Sequence, residues 1–171
     1  MILVGQIEIV STEIAALDTA LRKENKASEL GPRLETIPSV GPVTASALRA
    51  RVTDAVLSKN GRHLSAWIGI VPENDSTGGK VKQKGLSKKG DRYLRSLLIN
   101  GAMAVVRYAQ IGPDKHPWVT KLLGCMSKKQ AAVAIADKTA RIAWAIMVHG
   151  GVYDAAHRAP QCRAEACAAT K

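Results

Sequence analysis

The chain has 171 residues, of which 46% are hydrophobic, and a formal net charge of +11 at pH 7. This length supports one main core, and the positive charge favours nucleic acid as the partner, because Lys and Arg release counterions from phosphate. No apolar run reaches the roughly eighteen residues of a membrane-spanning helix, and the start lacks the basic residues of a secretory signal, so we expect a cytoplasmic protein with no membrane partner.

The first predicted element is an N-terminal helical arm over residues 1–30. Residues 1–37 carry six acidic and four basic residues, a net charge of −2, whereas residues 38–171 carry eight and twenty-one, a net charge of +13. Apolar residues at alternating spacings of four and three form a coiled-coil-like seam. A short seam favours pairing with another helix or with a second copy of the chain, and the alternative is an amphipathic helix packed on its own domain. The seam consists of Leu3, Ile7, Val10, Ile14, Leu17 and Leu21.

The next segment, RLETIPSVGPVTASALRA, is similar to a helix-hairpin-helix. A short helical piece is predicted to end near Ile37, and Pro42 suits the first turn of the helix that follows. Gly41 would let the backbone approach a phosphate, towards which the second helix directs its amides. We therefore take Gly41 and Thr44 as candidate DNA contacts, with an ordinary turn between two helices as the alternative.

A short helix over residues 62–70 precedes VPENDSTGGKVKQKGLSKKG, which has four glycines and five lysines. We find no strand-like alternation and predict a long basic loop over residues 71–90. A helix then begins at Asp91, with a predicted buried stripe of Tyr93, Leu94, Leu97, Leu98 and Met103. We expect the seven bases between residues 80 and 95 to converge on DNA. They are Lys80, Lys82, Lys84, Lys88, Lys89, Arg92 and Arg95.

The remaining pattern is also helical. A piece over residues 113–124 precedes a long helix that the capping-box spacing of Ser127 and Gln130 begins and Gly150 ends. We predict an all-α fold with the arm over residues 1–30, a DNA-handling domain over 31–153 and a disordered tail over 154–171. The histidines and cysteines lack metal-ligand spacing, so we expect no metal site and reduced thiols.

Chemistry centres on DSTGGK, which contains Ser76, Thr77, Gly78, Gly79 and Lys80. Two glycines after a hydroxyl residue let backbone amides and the hydroxyl face one small anion, such as a phosphodiester. A serine needs help to act as a nucleophile, and Lys80, Lys82, Arg92 and Arg95 could stabilise charge on phosphorus. The residues themselves also allow a phosphate-binding loop without chemistry.

The run AWIGIVPENDSTGGKVKQKGLSKKGDRYLRSLLINGA, followed by KKQAAVAIADKTARIAWAIM, resembles the C-terminal domain of DEDD-type insertion-sequence transposases. That family includes Piv-type invertases and bridge-RNA-guided recombinases. The resemblance implies that Ser76 attacks DNA and forms a phosphoserine link, with Thr77 in the second position of the motif. Gly78, Gly79 and Lys80 match the rest of that motif, and its downstream part corresponds to Gly85, Ser87, Lys88, Gly90, Asp91, Leu94 and Arg95.

Members of that family also carry an N-terminal RuvC-like domain whose four acids hold Mg²⁺. Residues 1–30 cannot form that domain, so we expect a truncated copy that is inactive alone and needs Mg²⁺ only with a RuvC-like partner domain. The resemblance implies DNA partners at the element ends and the target, a guide RNA as a further candidate, and a place at the bacterial nucleoid. A non-catalytic DNA- or RNA-binding module, or a dominant-negative dimerising subunit, is the alternative.

Overall fold

The computed structural model describes residues 2–77, 80–112 and 117–154, and the side chains of these except residues 2 and 74–84. Helix α1, Ile2–Ala27, is the predicted arm. Five seam residues are exposed, so the alternative in which they pack on the chain's own domain is wrong for them. Near the other end of α1, Asn25 is buried and accepts a hydrogen bond from Arg49 Nη1 at 3.4 Å. The exposed seam residues are Leu3, Ile7, Val10, Ile14 and Leu17.

Two short helices follow the arm and form the segment predicted to be a helix-hairpin-helix. Helix α2 covers Leu30–Glu35 and helix α3 covers Pro42–Arg51. Gly41 is the N-cap of α3 and Pro42 occupies its first turn, as predicted. The helical piece ends at Glu35, within two residues of the predicted end near Ile37, and the chain then turns and brings Ile37 into the core.

The central part of the fold joins two helices through an antiparallel β-hairpin. Helix α4 covers Gly61–Ile68, strands β1 and β2 cover Pro72–Thr77 and Lys80–Leu86, and helix α5 covers Arg92–Ile111. The prediction of an irregular loop without strands is therefore wrong for these residues. The strands were not predicted because they contain few apolar residues. Main-chain pairing forms the ribbon without the apolar–polar alternation that usually marks a strand.

Helices α6, Pro117–Cys125, and α7, Lys128–His149, complete the fold. The predicted capping box of Ser127 and Gln130 is confirmed, and Gly150 is the C-cap. Helix α7 packs against α4 and α5, and its alanines allow close approach of the helices. The buried side chains of α7 are Ala131, Ala132, Ile135, Ala136, Thr139, Ala140, Ala143 and Ile146.

The helical content confirms the all-α class, with the one small hairpin as an addition to it. Of the predicted stripe on α5, Leu94 and Leu98 are buried, whereas Tyr93 is exposed because it lies on the outer side of the first turn. Cys125 is disulfide-bonded, so the expectation of reduced thiols is wrong for it. The predicted tail lies, except for Asp154, outside the described residues, as do Gly78, Gly79 and residues 113–116.

Candidate nucleic-acid interface

Ser76 lies on β1, the first strand of the hairpin, one residue before the end of that strand. The register pairs Ser76 with Val81 and Thr77 with Lys80. Lys82 pairs with Asp75, which places it on the same ribbon. The structure therefore brings the backbone of Ser76, Thr77 and the lysines of β2 together on one short ribbon that connects α4 to α5.

Backbone hydrogen bonds hold the base of the hairpin against the end of α4. The Ser87 amide donates to the Val71 carbonyl at 3.0 Å, and the Lys88 amide donates to the Gly69 carbonyl at 3.3 Å. Gly69 has φ +79° as the left-handed C-cap of α4, a conformation that glycine adopts without strain. Gly90 approaches the Trp67 carbonyl so closely that a Cβ would collide with it. The hairpin thus leaves the helical core along a fixed path.

Arg95 has a structural role at this junction. Its Nη1 donates to the Ile68 carbonyl at 2.8 Å and to the Gly90 carbonyl at 3.4 Å. The guanidinium therefore satisfies the last carbonyl of α4, which the helix leaves without a partner, and ties it to the carbonyl of Gly90 just before α5. Of the two arginines predicted to contact DNA from α5, Arg92 is exposed and Arg95 is partly buried.

Asp91 begins α5 as its N-cap, which confirms the predicted start of this helix. Its Oδ1 accepts from the Tyr93 amide at 2.8 Å and from the Leu94 amide at 3.0 Å. Its Oδ2 lies 2.6 Å from Nη1 of Arg51, the last residue of α3. Burial raises the pKa of Asp91, but the hydrogen bonds from Leu94, Arg51 and Tyr93, together with the positive charge of Arg51, outweigh burial and hold the pKa below the ordinary carboxyl value.

Three exposed bases from the predicted range of residues 80–95 lie beside this junction. Lys88 has φ +55°, and both Lys88 and Lys89 are exposed, as is Arg92, whereas Ser87 is half-buried. Lys89 Nζ is 2.6 Å from Glu73 Oε1, and the hydrogen bond and charge of Glu73 raise the pKa of Lys89. The structure therefore brings the predicted residues Lys88, Lys89 and Arg92 to one exposed edge at the base of the hairpin.

The two candidate DNA contacts of the helix-hairpin-helix segment, Gly41 and Thr44, differ in exposure. Gly41 is exposed, and an added Cβ there would meet no atom within 4 Å. Thr44 is buried, so its side chain faces the core rather than solvent. Sequence reasoning missed Arg51, whose guanidinium lies over the ring of Tyr93 at 5.0 Å from the centroid. Asp91, two positions before Tyr93, is forty positions from Arg51 in the chain, so no local pattern could have indicated this contact.

Metal ligands do not cluster within residues 2–77, 80–112 and 117–154, where no group of three or more His, Cys, Asp or Glu residues is placed to hold an ion. Among the same residues, no helix is both long and apolar enough to cross a membrane.

Similarity to known proteins covers most of the chain. The chain is 40% identical over 146 residues to a putative transposase, y4pF/y4sB, of Sinorhizobium fredii. The aligned residues cover 84% of this chain and 38% of that protein. A probable family 20 transposase of Pseudomonas aeruginosa is 38% identical over 83% of this chain and 42% of its own length. The transposase for insertion sequence element IS1111A of Coxiella burnetii is 38% identical over 82% of this chain and 39% of its own length.

This chain spans about two fifths of the length of these curated relatives. The family model described as "Transposase IS116/IS110/IS902 family" matches residues 31–117. The match begins in α2, includes the hairpin with Ser76 and the junction at Asp91, and continues to the first residue of α6. The chain therefore belongs to the IS116/IS110/IS902 transposase family.

Proposed function

We propose that this chain is the DNA-handling C-terminal part of an insertion-sequence transposase, and that Ser76 is the nucleophile that exchanges DNA strands. The observation that carries the proposal is the position of Ser76 on the hairpin, one residue pair from the end of the described ribbon. A ribbon held at its base by Gly69, Gly90 and Arg95 can present a hydroxyl to a phosphodiester that lies outside the helical core.

In the proposed reaction, Ser76 Oγ loses its proton and attacks phosphorus. An Oγ–P ester forms, and the bond from phosphorus to one deoxyribose oxygen breaks, so that this oxygen leaves and takes up a proton. Lys80, Lys82 and Arg92 are the bases that we assign to stabilising negative charge on the phosphate. A second DNA strand end would reverse the step by attacking the ester.

The described residues do not fit a magnesium site, since they contain no cluster of carboxylates. We therefore assign no Mg²⁺ ligand to the described residues of this chain. In our proposal, the Mg²⁺ is held by a RuvC-like domain that works together with the hairpin. A guide RNA remains a candidate partner of that complete assembly.

The Ser76 proposal predicts a covalent protein–DNA adduct. The chain, supplied with a RuvC-like domain, Mg²⁺ and a labelled element-end duplex, should give an adduct that survives denaturing electrophoresis. Ser76→Ala should abolish the adduct and change duplex affinity little, because one hydroxyl contributes little beside many lysines. Thr77→Ala is the matched control, since it removes the neighbouring hydroxyl, and it should retain most of the adduct. An adduct of undiminished yield in Ser76→Ala would assign the nucleophile to another residue.

A second candidate function rests on α1. Five residues of its apolar seam are exposed, and exposed apolar stripes of this kind mark sites of association. We propose that residues 3–21 pair with a second copy of the chain. If no adduct forms with any partner domain while DNA binding and pairing persist, the chain is better described as a non-catalytic binding module or a dominant-negative dimerising subunit.

A further inference from the structure

Arg51 is fixed in place by two neighbours on α5. Its Nη1 lies 2.6 Å from Asp91 Oδ2, and its Cζ lies 5.0 Å from the centroid of the Tyr93 ring. A carboxylate and an aromatic face are the two groups that orient a guanidinium best, one through a charged hydrogen bond and the other through its electron-rich face. Arg51 therefore has a set orientation although it stands at the surface.

The two carboxylate oxygens of Asp91 have different partners. Oδ1 caps α5 through the amides of Tyr93 and Leu94, which leaves Oδ2 to accept from Arg51. The helix end is thus already satisfied without Arg51. An ion pair with one half-exposed partner contributes little to stability, because solvent screens the attraction between its charges. Stability alone is therefore a weak reason for a guanidinium to stand here.

Most donors of Arg51 remain available. A guanidinium has five N–H groups, and within the part of the chain that the structure describes Arg51 uses only Nη1, towards Asp91. Its side chain is 49% exposed. A guanidinium with free donors and little orientational freedom is suited to bind a phosphate, since less entropy is lost when the bond forms.

The location of Arg51 agrees with such a role. It ends α3, the second helix of the segment that begins at Gly41, and α3 packs against α5. Its partner Asp91 is followed directly by the exposed Arg92 and preceded by the turn that carries Lys88 and Lys89. Arg51 thus lies at the end of the predicted helix-hairpin-helix segment and pairs with the residue that directly precedes the exposed Arg92.

We propose that Arg51 is a contact to a DNA backbone phosphate and that Asp91 and Tyr93 are positioning residues that hold its guanidinium ready. This inference rests on the proposed function only in that the chain binds DNA, and it is independent of any reaction at Ser76.

The test measures binding of the full chain to a duplex of arbitrary sequence across a series of salt concentrations. Arg51→Gln should weaken binding on the order of tenfold, because a charged hydrogen bond is removed, and should reduce the slope of log affinity against log salt by about 0.9. Arg51→Lys keeps the charge but not the planar fork, so it should retain the slope and recover affinity only in part.

Asp91→Asn gives the sharper result because two explanations predict opposite signs. Asparagine still caps a helix, and the substitution makes the chain more positive, so bulk electrostatics alone would tighten binding. Our proposal requires weaker binding, since Arg51 loses its orienting carboxylate. Asp137→Asn is the matched control: it removes a carboxylate that pairs with Arg141 at 2.8 Å and should leave affinity unchanged or slightly higher.

Tyr93 provides a second, independent arm of the test. Its ring is exposed, so Tyr93→Ala should fold, as the urea midpoint would verify, and should weaken binding, whereas Tyr93→Phe keeps the aromatic face and should bind normally. If Asp91→Asn binds as tightly as Asp137→Asn, and Arg51→Gln leaves the slope unchanged, the proposal is overturned while DNA binding by the chain stands. Absence of duplex binding by the unaltered chain would overturn both this proposal and the proposed function.

Discussion

Single atoms set how closely the segments of this chain approach one another. Gly101 lies inside α5, and a Cβ there would collide with the carbonyl oxygen of Ser39. Ser39 has φ +87°, and its hydroxyl oxygen is 3.0 Å from that of Thr139 on α7. Through Ser39, the turn between α2 and α3 is therefore held against both α5 and α7.

Gly101→Ala should destabilise the fold by about 1–3 kcal/mol, because the backbone of Ser39 must move to admit a methyl group. Urea denaturation followed by circular dichroism measures the change. Gly124→Ala is the matched control, since Gly124 also lies in a helix but has no atom within 4 Å of an added Cβ. That variant should be as stable as the unaltered chain or more stable by up to about 1 kcal/mol. Equal stabilities of the two variants would mean that Gly101 does not limit this contact.

Contacts between residues a few positions apart could be predicted from the sequence, whereas contacts between distant positions could not. Asp91 and Ser127 have short polar side chains directly before apolar helical patterns, so both caps could be predicted. The pairing of Arg51 with Asp91 joins residues forty positions apart, and no periodicity encodes it. The burial of Thr44 also depends on how α3 meets the core, which a hydroxyl residue near a helix start does not reveal.

Elements differ in how strongly their sequences specify them. The helices carry apolar residues at helical spacing, and their existence and order follow from that pattern. The hairpin carries no such signal: β1 reads PENDST and β2 reads KVKQKGL. Main-chain pairing and the fixed ends at Gly69 and Gly90 define this ribbon, and both depend on tertiary structure. The position of Ser76 on a strand therefore could not be predicted, although its motif could be identified.

Helix α1 presents the clearest element-scale prediction. Ile14→Glu introduces a charge into the exposed seam and should shift the chain towards the monomer, because a charge buried between paired helices lacks a partner. Multi-angle light scattering over a range of concentrations measures the change. Ala16→Glu is the matched control, since it adds the same charge to an exposed position outside the seam, and it should leave the mass unchanged. If all three chains are monomers at every concentration, residues 3–21 do not mediate association.

For the molecule as a whole, charge is distributed along the chain more unevenly than the net value suggests. The first 37 residues have a net charge of −2 and the rest +13, from six acidic and four basic residues against eight and twenty-one. Helix α1 lies within the acidic part, whereas the hairpin and the junction at Asp91 lie within the basic part. We therefore expect DNA to bind the hairpin side and α1 to take no part in phosphate contacts.

This division can be tested by removing three positive charges in either place. Replacing Lys80, Lys82 and Lys84 by Gln should flatten the salt dependence of duplex binding by about 0.9 for each phosphate that the variant no longer neutralises. Replacing Arg22, Lys23 and Lys26 on α1 by Gln lowers the net charge by the same amount, but it should leave the slope nearly unchanged, because we expect these side chains to touch no phosphate. The slopes come from fluorescence anisotropy titrations at several salt concentrations. If both triple variants flatten the slope equally, binding follows overall charge, and the hairpin lysines have no special part in holding DNA.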